Sequence, residues 1–521
     1  MSTTHVDLSR EWDVVIVGTG MGGATLGHAL AKLGASVLFL ERGTTVSAAA
    51  QGAEPVSPDD RVARGWWPYP VTQRNPDSRS ERFFAPLGCA LGGSTIHYAA
   101  SLERMAASDF MALQTESGLV PEWPVSYEEF SRHYSDAESL YGLRPMESDS
   151  GEAELLSEWD KSLMMAMRQN GLKPYRQRVA IRYDKECQEC IGRVCPRGCK
   201  SDARTTCLTP ALSNPNCQVL DNCEVLTIDA THSRVRGVRV LHQGMTVDVR
   251  ARVTVLSAGA MHSPQILLRS KSDSWPEGLA NRSGQVGRNL MFHTSDLYGL
   301  WAPRRLDRNG RQKKSISVRD FYSIGGRRLG YIQSMGLDAG RGNIAGFLKD
   351  QLRRKGLRSE ILLSLLVKIP SHVASWVLGE ASIFAAMTED DPNPNNRVFL
   401  DPEQPDGAAF SYSITADLRQ RADALRAAFA TQVRPWRLVR LSPSLSMNYG
   451  HPCGTCRFGS DPESSVLDPM NRAHGIDNLY VVDSSFMPRS GAVNPSLTIA
   501  ANALRCAPGI AELALGSRLA R

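Results

Sequence analysis

The sequence predicts an α/β fold that opens with a Rossmann-like unit, and three observations support this prediction. Residues 12–17 (WDVVIV) form a short apolar run rich in β-branched residues, which is typical of a buried parallel strand. A glycine-rich turn, an apolar helical pattern and a second apolar run, ASVLFL, follow directly. Near the C-terminus, the run NLYVVD precedes a turn and a long apolar helical pattern. Strands that alternate with helices in this way indicate a parallel sheet.

The turn after the first strand contains G-x-G-x-x-G at Gly18, Gly20 and Gly23. The first glycine permits the tight turn, the second lets the backbone approach a pyrophosphate, and the third lets helix and strand pack closely. Glu41 ends the second strand, where a carboxylate can accept hydrogen bonds from ribose hydroxyls. The motif therefore predicts a dinucleotide site. It does not separate FAD from NAD, because both contain the ADP half.

A second glycine-rich loop spans residues 87–101 (LGCALGGSTIHYAAS). Gly92 and Gly93 make its backbone flexible, and Ser94 supplies a hydroxyl group. Such a loop suits the ribityl and phosphate region of a bound dinucleotide. His97 follows three residues after the serine, so we expect it to lie beside the same ligand.

The C-terminal part of the chain supplies the residues with the clearest chemistry. His451 lies in the loop HPCGTCRFG, and a neutral imidazole can accept a proton. Asp483 ends the strand NLYVVD. Asn494 is expected to cap the following helix, with Pro495 at its first position, so that the positive helix end faces the ligand. Two further residues are candidates for cofactor contact, Val225 and Ala258.

These motifs, in this order, make the chain similar to the glucose–methanol–choline (GMC) oxidoreductase family, which uses FAD. The resemblance extends to residues 123–142, 257–268, 286–293 and 391–401. It implies a Rossmann-like FAD-binding domain interleaved with a substrate domain, which is built on an antiparallel sheet with helices. We expect the FAD-binding domain to comprise residues 1–44, 205–292 and 451–521. Residues 45–204 and 293–450 would form the lid, the cysteine-rich insertion and the substrate-binding domain.

The resemblance implies that the protein oxidises a primary or secondary alcohol, such as a sugar or polyol hydroxyl, by hydride transfer to flavin N5. His451 would be the base and Asn494 the group that orients the substrate. The motifs look most like those of choline dehydrogenase-like, cholesterol oxidase-like and pyranose oxidase-like members. Oxygen or another acceptor would reoxidise the flavin. Two alternatives stay open: an FAD-containing lyase of the hydroxynitrile type, and a redox-silent binding protein.

The resemblance also bears on His97. In choline- and pyranose-oxidising relatives, a histidine at a similar distance from the glycines bonds covalently to the flavin 8α carbon. The alternative is a histidine that packs on the flavin ring or forms a local hydrogen bond. The spacing alone does not decide between these two arrangements.

Four cysteines, Cys187, Cys190, Cys195 and Cys199, have the spacing C-x2-C-x4-C-x3-C. Such a cluster can bind zinc or an iron–sulfur centre, and some bacterial relatives carry iron–sulfur ligands in a related insertion. The spacing differs from the standard ferredoxin patterns, however. We therefore expect free thiols or local disulfides and no metal.

The composition and the first residues of the chain indicate which partners and which cellular location to expect. The formal charge of +6 is mild for 521 residues, and no nucleic-acid-binding module is visible. The expected partners are a small-molecule alcohol and an electron acceptor, while the oligomeric state is not predicted. The first residues, MSTTHVDLSR, contain no apolar core of a secretory signal, so a cytoplasmic location is expected.

Three segments are expected to cover the cavity. Residues 45–80, with Trp66 and Trp67, read as a lid or arm rather than as core. Residues 335–349 and 361–387 are candidates for the roof of the substrate pocket. Polar residues interrupt 361–387, so no transmembrane segment is predicted. We expect a pair of cap helices in a soluble protein there, and the alternative is an amphipathic lid that faces a membrane.

Overall fold

The computed structural model describes residues 6–46, 61–62, 64–74, 80–116, 118–143, 156–183, 187, 189–301, 314–336, 341–354, 356–357, 359–378, 381–404, 407–442 and 444–520. Parts of the expected lid, 47–60 and 75–79, lie outside these ranges. The strands are β1 Glu11–Val17, β2 Val37–Leu40, β3 Val71–Gln73, β4 Glu81–Phe83, β5 Leu113–Thr115, β6 Gly118–Val120, β7 Tyr175–Arg176, β8 Cys217–Leu220, β9 Cys223–Ala230, β10 Val235–His242, β11 Met245–Leu256, β12 Met291–Thr294, β13 Asp296–Trp301, β14 Ile316–Val318, β15 Ser323–Ile324, β16 Arg327–Arg328, β17 Tyr331–Ser334, β18 Ser382–Met387, β19 Arg397–Phe399, β20 Ala408–Ser411, β21 Arg437–Arg440, β22 Met447–Cys453 and β23 Leu479–Val481. The helices are α1 Met21–Lys32, α2 Tyr127–Leu140, α3 Glu158–Gln169, α4 Thr209–Leu212, α5 Ser263–Arg269, α6 Arg341–Arg354, α7 Glu360–Leu378, α8 Ala416–Gln432 and α9 Ser496–Leu515.

The apolar runs at the two ends of the chain meet in one sheet. Its strand order is β8-β2-β1-β11-β10-β9, and β23 pairs with the second half of β11. The five strands β8, β2, β1, β11 and β23 are parallel, whereas β10 and β9 form antiparallel pairs. Helix α1 packs against α9, which also contacts α2. This is the Rossmann-like fold that the sequence predicted, and its parallel strands end at the cavity.

The second large sheet is antiparallel, as the resemblance implied. Its order is β21-β13-β18-β17-β14-β7. All of its pairs run antiparallel. Residues of α3 and α8 bury their apolar faces against it. The two sheets bring residues from distant parts of the chain to one cavity. The boundaries expected between the two domains stay a prediction.

Two expectations about the covering segments were wrong. Residues 361–387 are not a pair of helices, because α7 ends at Leu378 and the run Ser382–Met387 is the fully buried strand β18. Among the described residues, α7 is also the one helix that is long and apolar enough to cross a membrane. Trp66 and Trp67, predicted to belong to a lid or arm rather than to core, are buried side chains, and Trp67 lines the cavity.

Candidate active site

A cavity of about 430 Å³ lies where the two sheets meet. This volume is within the usual range for cofactor and ligand sites. Most residues that the sequence predicted for the site line this cavity: Gly18, Gly20, Glu41, Gly93, Ser94, His97, Val225, Ala258, His451, Asp483, Asn494 and Pro495. Two predicted glycines, Gly23 and Gly92, are not among the lining residues. A Cβ at Gly23 would lie 2.1 Å from the Gly18 carbonyl oxygen, and the Gly92 amide donates to the Thr19 hydroxyl, so both glycines support the loops that line the cavity.

The glycine loop after β1 has the geometry of a phosphate cradle. Gly18 has φ +95°, and a Cβ there would lie 2.3 Å from the Ser257 carbonyl oxygen. A Cβ at Gly20, by contrast, would meet nothing within 4 Å, so the cavity reaches the backbone at this point. No described side chain caps the N-terminus of α1 at Gly20, and its first amide groups are free to bind an anion. The loop therefore fits the pyrophosphate of a dinucleotide.

Glu41 connects the two glycine-rich loops. Its Oε2 accepts hydrogen bonds from the backbone and hydroxyl groups of Thr19, at 2.9 and 2.7 Å. The hydroxyl of Thr19 in turn accepts a hydrogen bond from the Gly92 amide at 3.0 Å. The other carboxylate oxygen, Oε1, accepts one hydrogen bond, from the Gly43 amide at 2.9 Å, and its second lone pair can still accept from a ribose. Its position in the cavity agrees with the predicted ribose contact.

Asp483, just after β23, forms hydrogen bonds with the segment 259–263, which follows β11. Its Oδ2 accepts from the Gly259 amide at 2.9 Å and from the Ser263 hydroxyl at 2.5 Å. The Ser485 amide donates to the other oxygen at 2.8 Å. Burial raises the pKa of Asp483, although these hydrogen bonds oppose the shift. Asp483 thus fixes the backbone beside the cavity rather than exchanging a proton.

His451 lies on β22 and is half-buried at the cavity wall. Burial lowers its pKa well below the ordinary value, and the neighbouring His293 and Lys314 lower it further. The ring is therefore neutral near pH 7 and can accept a proton. Its Nδ1 lies 3.3 Å from the amide nitrogen of Asn448, and its ring meets His293 edge-on at 5.2 Å.

Asn494 differs from the sequence prediction in one respect. Helix α9 begins at Ser496 with Pro495 in the capping position, so the Asn494 side chain does not cap it. The Oδ1 atom of Asn494 is instead buried without a hydrogen-bond partner in the described part of the chain. An unpaired buried acceptor that faces a cavity is costly unless a ligand satisfies it. The asparagine is thus available for a substrate hydroxyl.

His97 lies at the end of a 3₁₀ turn, Gly93–His97, and stacks on Trp66 with ring centroids 4.5 Å apart. Burial lowers its pKa to about 3, and Lys200, Arg61 and Arg204 add to the effect. Neither ring nitrogen has a hydrogen-bond partner among the described residues. The ring is therefore a neutral group that is fixed at the cavity wall with both nitrogens open.

No sequence motif predicted the polar group at the end of the cavity near His451, which we call the substrate end. Lys314 is buried there, and its Nζ donates to Gln333 Oε1 at 3.3 Å. The same oxygen accepts a hydrogen bond from Gln177 at 2.5 Å, and Gln177 also donates to Ser101 at 2.9 Å. Burial lowers the pKa of Lys314 to about 8, against the opposing charges of Glu189 and Glu103. Gln333 lies on β17, whereas Lys314, Gln177 and Ser101 lie outside the named strands, and the four residues belong to no local motif.

The cysteine-rich segment packs under the second glycine-rich loop. Its central group is the buried Lys200, whose ammonium donates to the carbonyl oxygens of Ile96 and Tyr98, each at 3.1 Å. It also donates to the carbonyl oxygens of Cys190 at 3.0 Å and Arg193 at 2.7 Å. The segment therefore holds the backbone on both sides of His97.

Of the segments expected to form the pocket roof, two residues line the cavity, Met335 and Met387. No residue of α7 is among the described residues that line it. The helix was therefore wrongly predicted as pocket roof.

Comparison with known proteins agrees with this geometry. Family models described as GMC oxidoreductase match residues 12–295 and 390–503. The chain is 29% identical to paromamine 6'-oxidase of Streptomyces fradiae, over 97% of this chain and 92% of the relative. It is 26% identical to 2-methyl-1,2-propanediol dehydrogenase of Mycolicibacterium austroafricanum, over 96% and 95% of the two chains. The fold resembles formate oxidase of Aspergillus oryzae, with a TM-score of 0.67, 16% identity and coverage of 98% and 99%. The chain therefore belongs to the GMC oxidoreductase family, whose members use FAD.

Proposed function

We propose that this protein oxidises the hydroxyl group of a neutral, hydroxyl-rich compound, with His451 as the base and Asn494 as the orienting group. The observation that carries the proposal is the meeting of three features in one cavity. These are a dinucleotide cradle, a half-buried neutral imidazole, and a buried amide oxygen without a partner among the described residues. FAD, when bound, supplies the hydride acceptor. Gly20, Glu41, Ser94, Asp483 and Pro495 are among the residues that would surround it.

The two polar groups have separate tasks in this proposal. Loss of a hydride from carbon becomes easier as the hydroxyl proton leaves, and neutral His451 can take that proton. Asn494 cannot exchange a proton, but its amide can hold the hydroxyl oxygen and so fix the direction of the C–H bond. Because burial lowers the pKa of His451, this base is available at neutral and mildly acidic pH.

The substrate end of the cavity favours hydroxyl-rich compounds. Lys314, Gln333, Gln177 and Ser101 form a connected polar wall there. The Lys314 ammonium bonds one neutral oxygen and has no other acceptor in the described part of the chain, so it can donate to a substrate hydroxyl. A buried cation would repel a polyamine such as an aminoglycoside. We therefore favour a sugar or polyol over the amino sugar that the relative from S. fradiae is named for.

We further propose that His97 bonds covalently to FAD. The support is that its ring is neutral, fixed by Trp66, and has no partner at either nitrogen among the described residues. The alternative is a ring that only packs on the flavin. The intact mass of the denatured protein decides between them, because a covalent link retains the mass of FAD and His97→Ala loses it. Oxygen or another compound would accept the electrons from the flavin, and the cytoplasmic location stays a prediction.

The test is anaerobic reduction of the purified holoenzyme by a panel of sugars, polyols and simple alcohols. We expect a hydroxyl-rich member to bleach the flavin absorbance, and His451→Ala to slow bleaching by about a hundredfold or more. His232→Ala, at an exposed histidine, is the matched control and should bleach like the parent. Unchanged reduction in the His451 variant would refute the proposed base. Flavin that dithionite reduces but no alcohol does would favour the lyase alternative.

A further inference from the structure

Helix α7 presents an apolar face to solvent. Eight of the eighteen exposed large apolar side chains among the described residues lie on it: Ile361, Leu362, Leu365, Leu366, Ile369, Val373, Trp376 and Val377. At about 100° per residue, these eight fall within an arc of about 160°. Leu363, Val367 and Ser371 lie on the opposite side and are buried. In most helices of soluble proteins the apolar face is buried. In α7 the larger apolar face is exposed to solvent instead.

Such an exposed apolar face is unusual for a helix in a soluble protein. Its most apolar window has a mean hydropathy of 1.7, yet 17% of that window is buried. Trp376, near the end of the helix, is 86% exposed. A contiguous apolar surface of this kind marks a site of interaction with a protein or a membrane. Tryptophan at the edge of such a surface is typical of a membrane interface.

The net charge of the segment that contains this face indicates which partner it fits. Residues 341–378 contain seven Lys and Arg but only two Asp and Glu, a net of five positive charges out of the formal six of the whole chain. The basic residues are Arg341, Lys349, Arg353, Arg354, Lys355, Arg358 and Lys368. A second copy of the chain would bring the same excess of positive charge against itself. An anionic phospholipid surface is complementary to both the charge and the apolar face.

We propose that α7 lies in the plane of an anionic phospholipid membrane, with its apolar face in the boundary between headgroups and acyl chains. A helix with an apolar face and basic flanks binds a membrane in this way. The chain topology excludes a single crossing. The segment that contains α6 and α7 leaves from β17 and returns to β18, which are paired neighbours in one sheet. Helix α6 packs against α7 but contains Lys349 and Arg353, so it is too polar to be a second crossing.

Flotation of the holoenzyme with lipid vesicles tests this proposal. We expect it to float with phosphatidylglycerol-containing vesicles and to float less with pure phosphatidylcholine vesicles. The double variant Ile369→Glu/Trp376→Glu should reduce vesicle partitioning by about tenfold or more, because it places charge in the apolar boundary. The control variant Leu119→Glu/Met245→Glu changes exposed apolar residues elsewhere and should float like the parent. Unchanged flavin absorbance shows that each variant is folded.

Three results would overturn the proposal. The first is no flotation of the parent with either vesicle type. The second is equal flotation of the Ile369/Trp376 variant and the control. The third is sedimentation of the parent as a lipid-independent dimer that this variant alone converts to a monomer, which would assign the face to a second copy of the chain.

Discussion

Glu389 offers a direct test of how the site is held in place. It follows β18, is 2% exposed, and accepts hydrogen bonds from Arg489 and, at 2.6 Å, from Arg328. Arg489 begins the loop that leads to Asn494. The next two residues of that loop accept from His293 through their carbonyl oxygens, at 3.2 and 2.8 Å. Because the His293 ring meets His451, the ion pair supports both residues proposed for catalysis.

Glu389→Gln removes the negative charge and leaves the shape nearly unchanged. Arg489 is 1% exposed, so the variant would bury an uncompensated cation. Breaking one side of a buried ion pair costs roughly 3–5 kcal/mol. Unfolding entropy scales at about 2.1 cal/mol/K per residue, so in a chain of this length we expect a fall in Tm of roughly 3–5 °C. The matched control is Glu403→Gln, which breaks an exposed pair with Arg74 and should cost about 1 kcal/mol or less.

The same residue predicts how stability depends on pH. Burial alone would raise the pKa of Glu389, but Arg489, Arg328 and Arg421 outweigh it and hold the pKa below the ordinary value. A carboxyl with a lowered folded-state pKa contributes stability that is present above about pH 4.5 and is lost as pH falls through the folded pKa. The parent should therefore lose more stability than the variant on acidification below pH 4.5.

The assay is thermal unfolding of the holoenzyme between pH 3 and 8, followed by the release of flavin fluorescence. In Glu389→Gln/Arg489→Met the unpaired arginine is gone, so part of the lost Tm should return. A Tm of Glu389→Gln within one degree of the Glu403→Gln control, at all pH values, would refute the reasoning.

Two further predictions concern the cofactor and the substrate. A Cβ at Gly23 would lie 2.1 Å from the Gly18 carbonyl oxygen, so the variant Gly23→Ala should be purified without flavin. The control is Gly509→Ala, whose Cβ would lie 3.7 Å from its nearest neighbour, and this variant should keep its flavin. Lys314→Met should lower kcat/KM for a hydroxyl-rich substrate by about tenfold or more, through loss of one charge-assisted hydrogen bond. In the parent, substrate affinity should fall as pH rises through the Lys314 pKa of about 8, and the variant should show no such step. Retained flavin in the first case, or an unchanged pH profile in the second, would contradict these assignments.

Among the predicted site residues that line the cavity, several owe their positions to local spacing in the chain. Gly18, Gly20 and Glu41 belong to one strand-turn-helix-strand unit, so their order along the chain sets their positions in space. His451 and Asp483 also lie at or beside strands, next to short loops. In such units, a pattern of a few residues determines which side chains meet, and the sequence suffices.

The sequence predictions failed where the position of a side chain depends on a single residue or on a tertiary contact. Asparagine before proline is a typical start of a helix, so the sequence predicted Asn494 as the cap. In the structure the helix begins one residue later, Pro495 takes the capping position, and Asn494 lines the cavity. The segment 361–387 is apolar throughout, and apolarity alone does not separate an exposed helix from the buried strand β18. Lys314 and Gln333 meet through the pairing of β14 with β17, which no local pattern encodes.

Lys314 also helps to keep His451 neutral, in addition to burial and His293. Its charge is one of three causes that lower the pKa of His451, after burial and His293. A cation at this place therefore keeps the imidazole free of a proton before the substrate arrives. In the proposed reaction, when His451 accepts the hydroxyl proton, the same cation would make the imidazolium more acidic, so the proton would be readily passed on. The cost of burying an ammonium group is thus offset by two effects on the proposed reaction, recognition of a hydroxyl-rich substrate and control of the base.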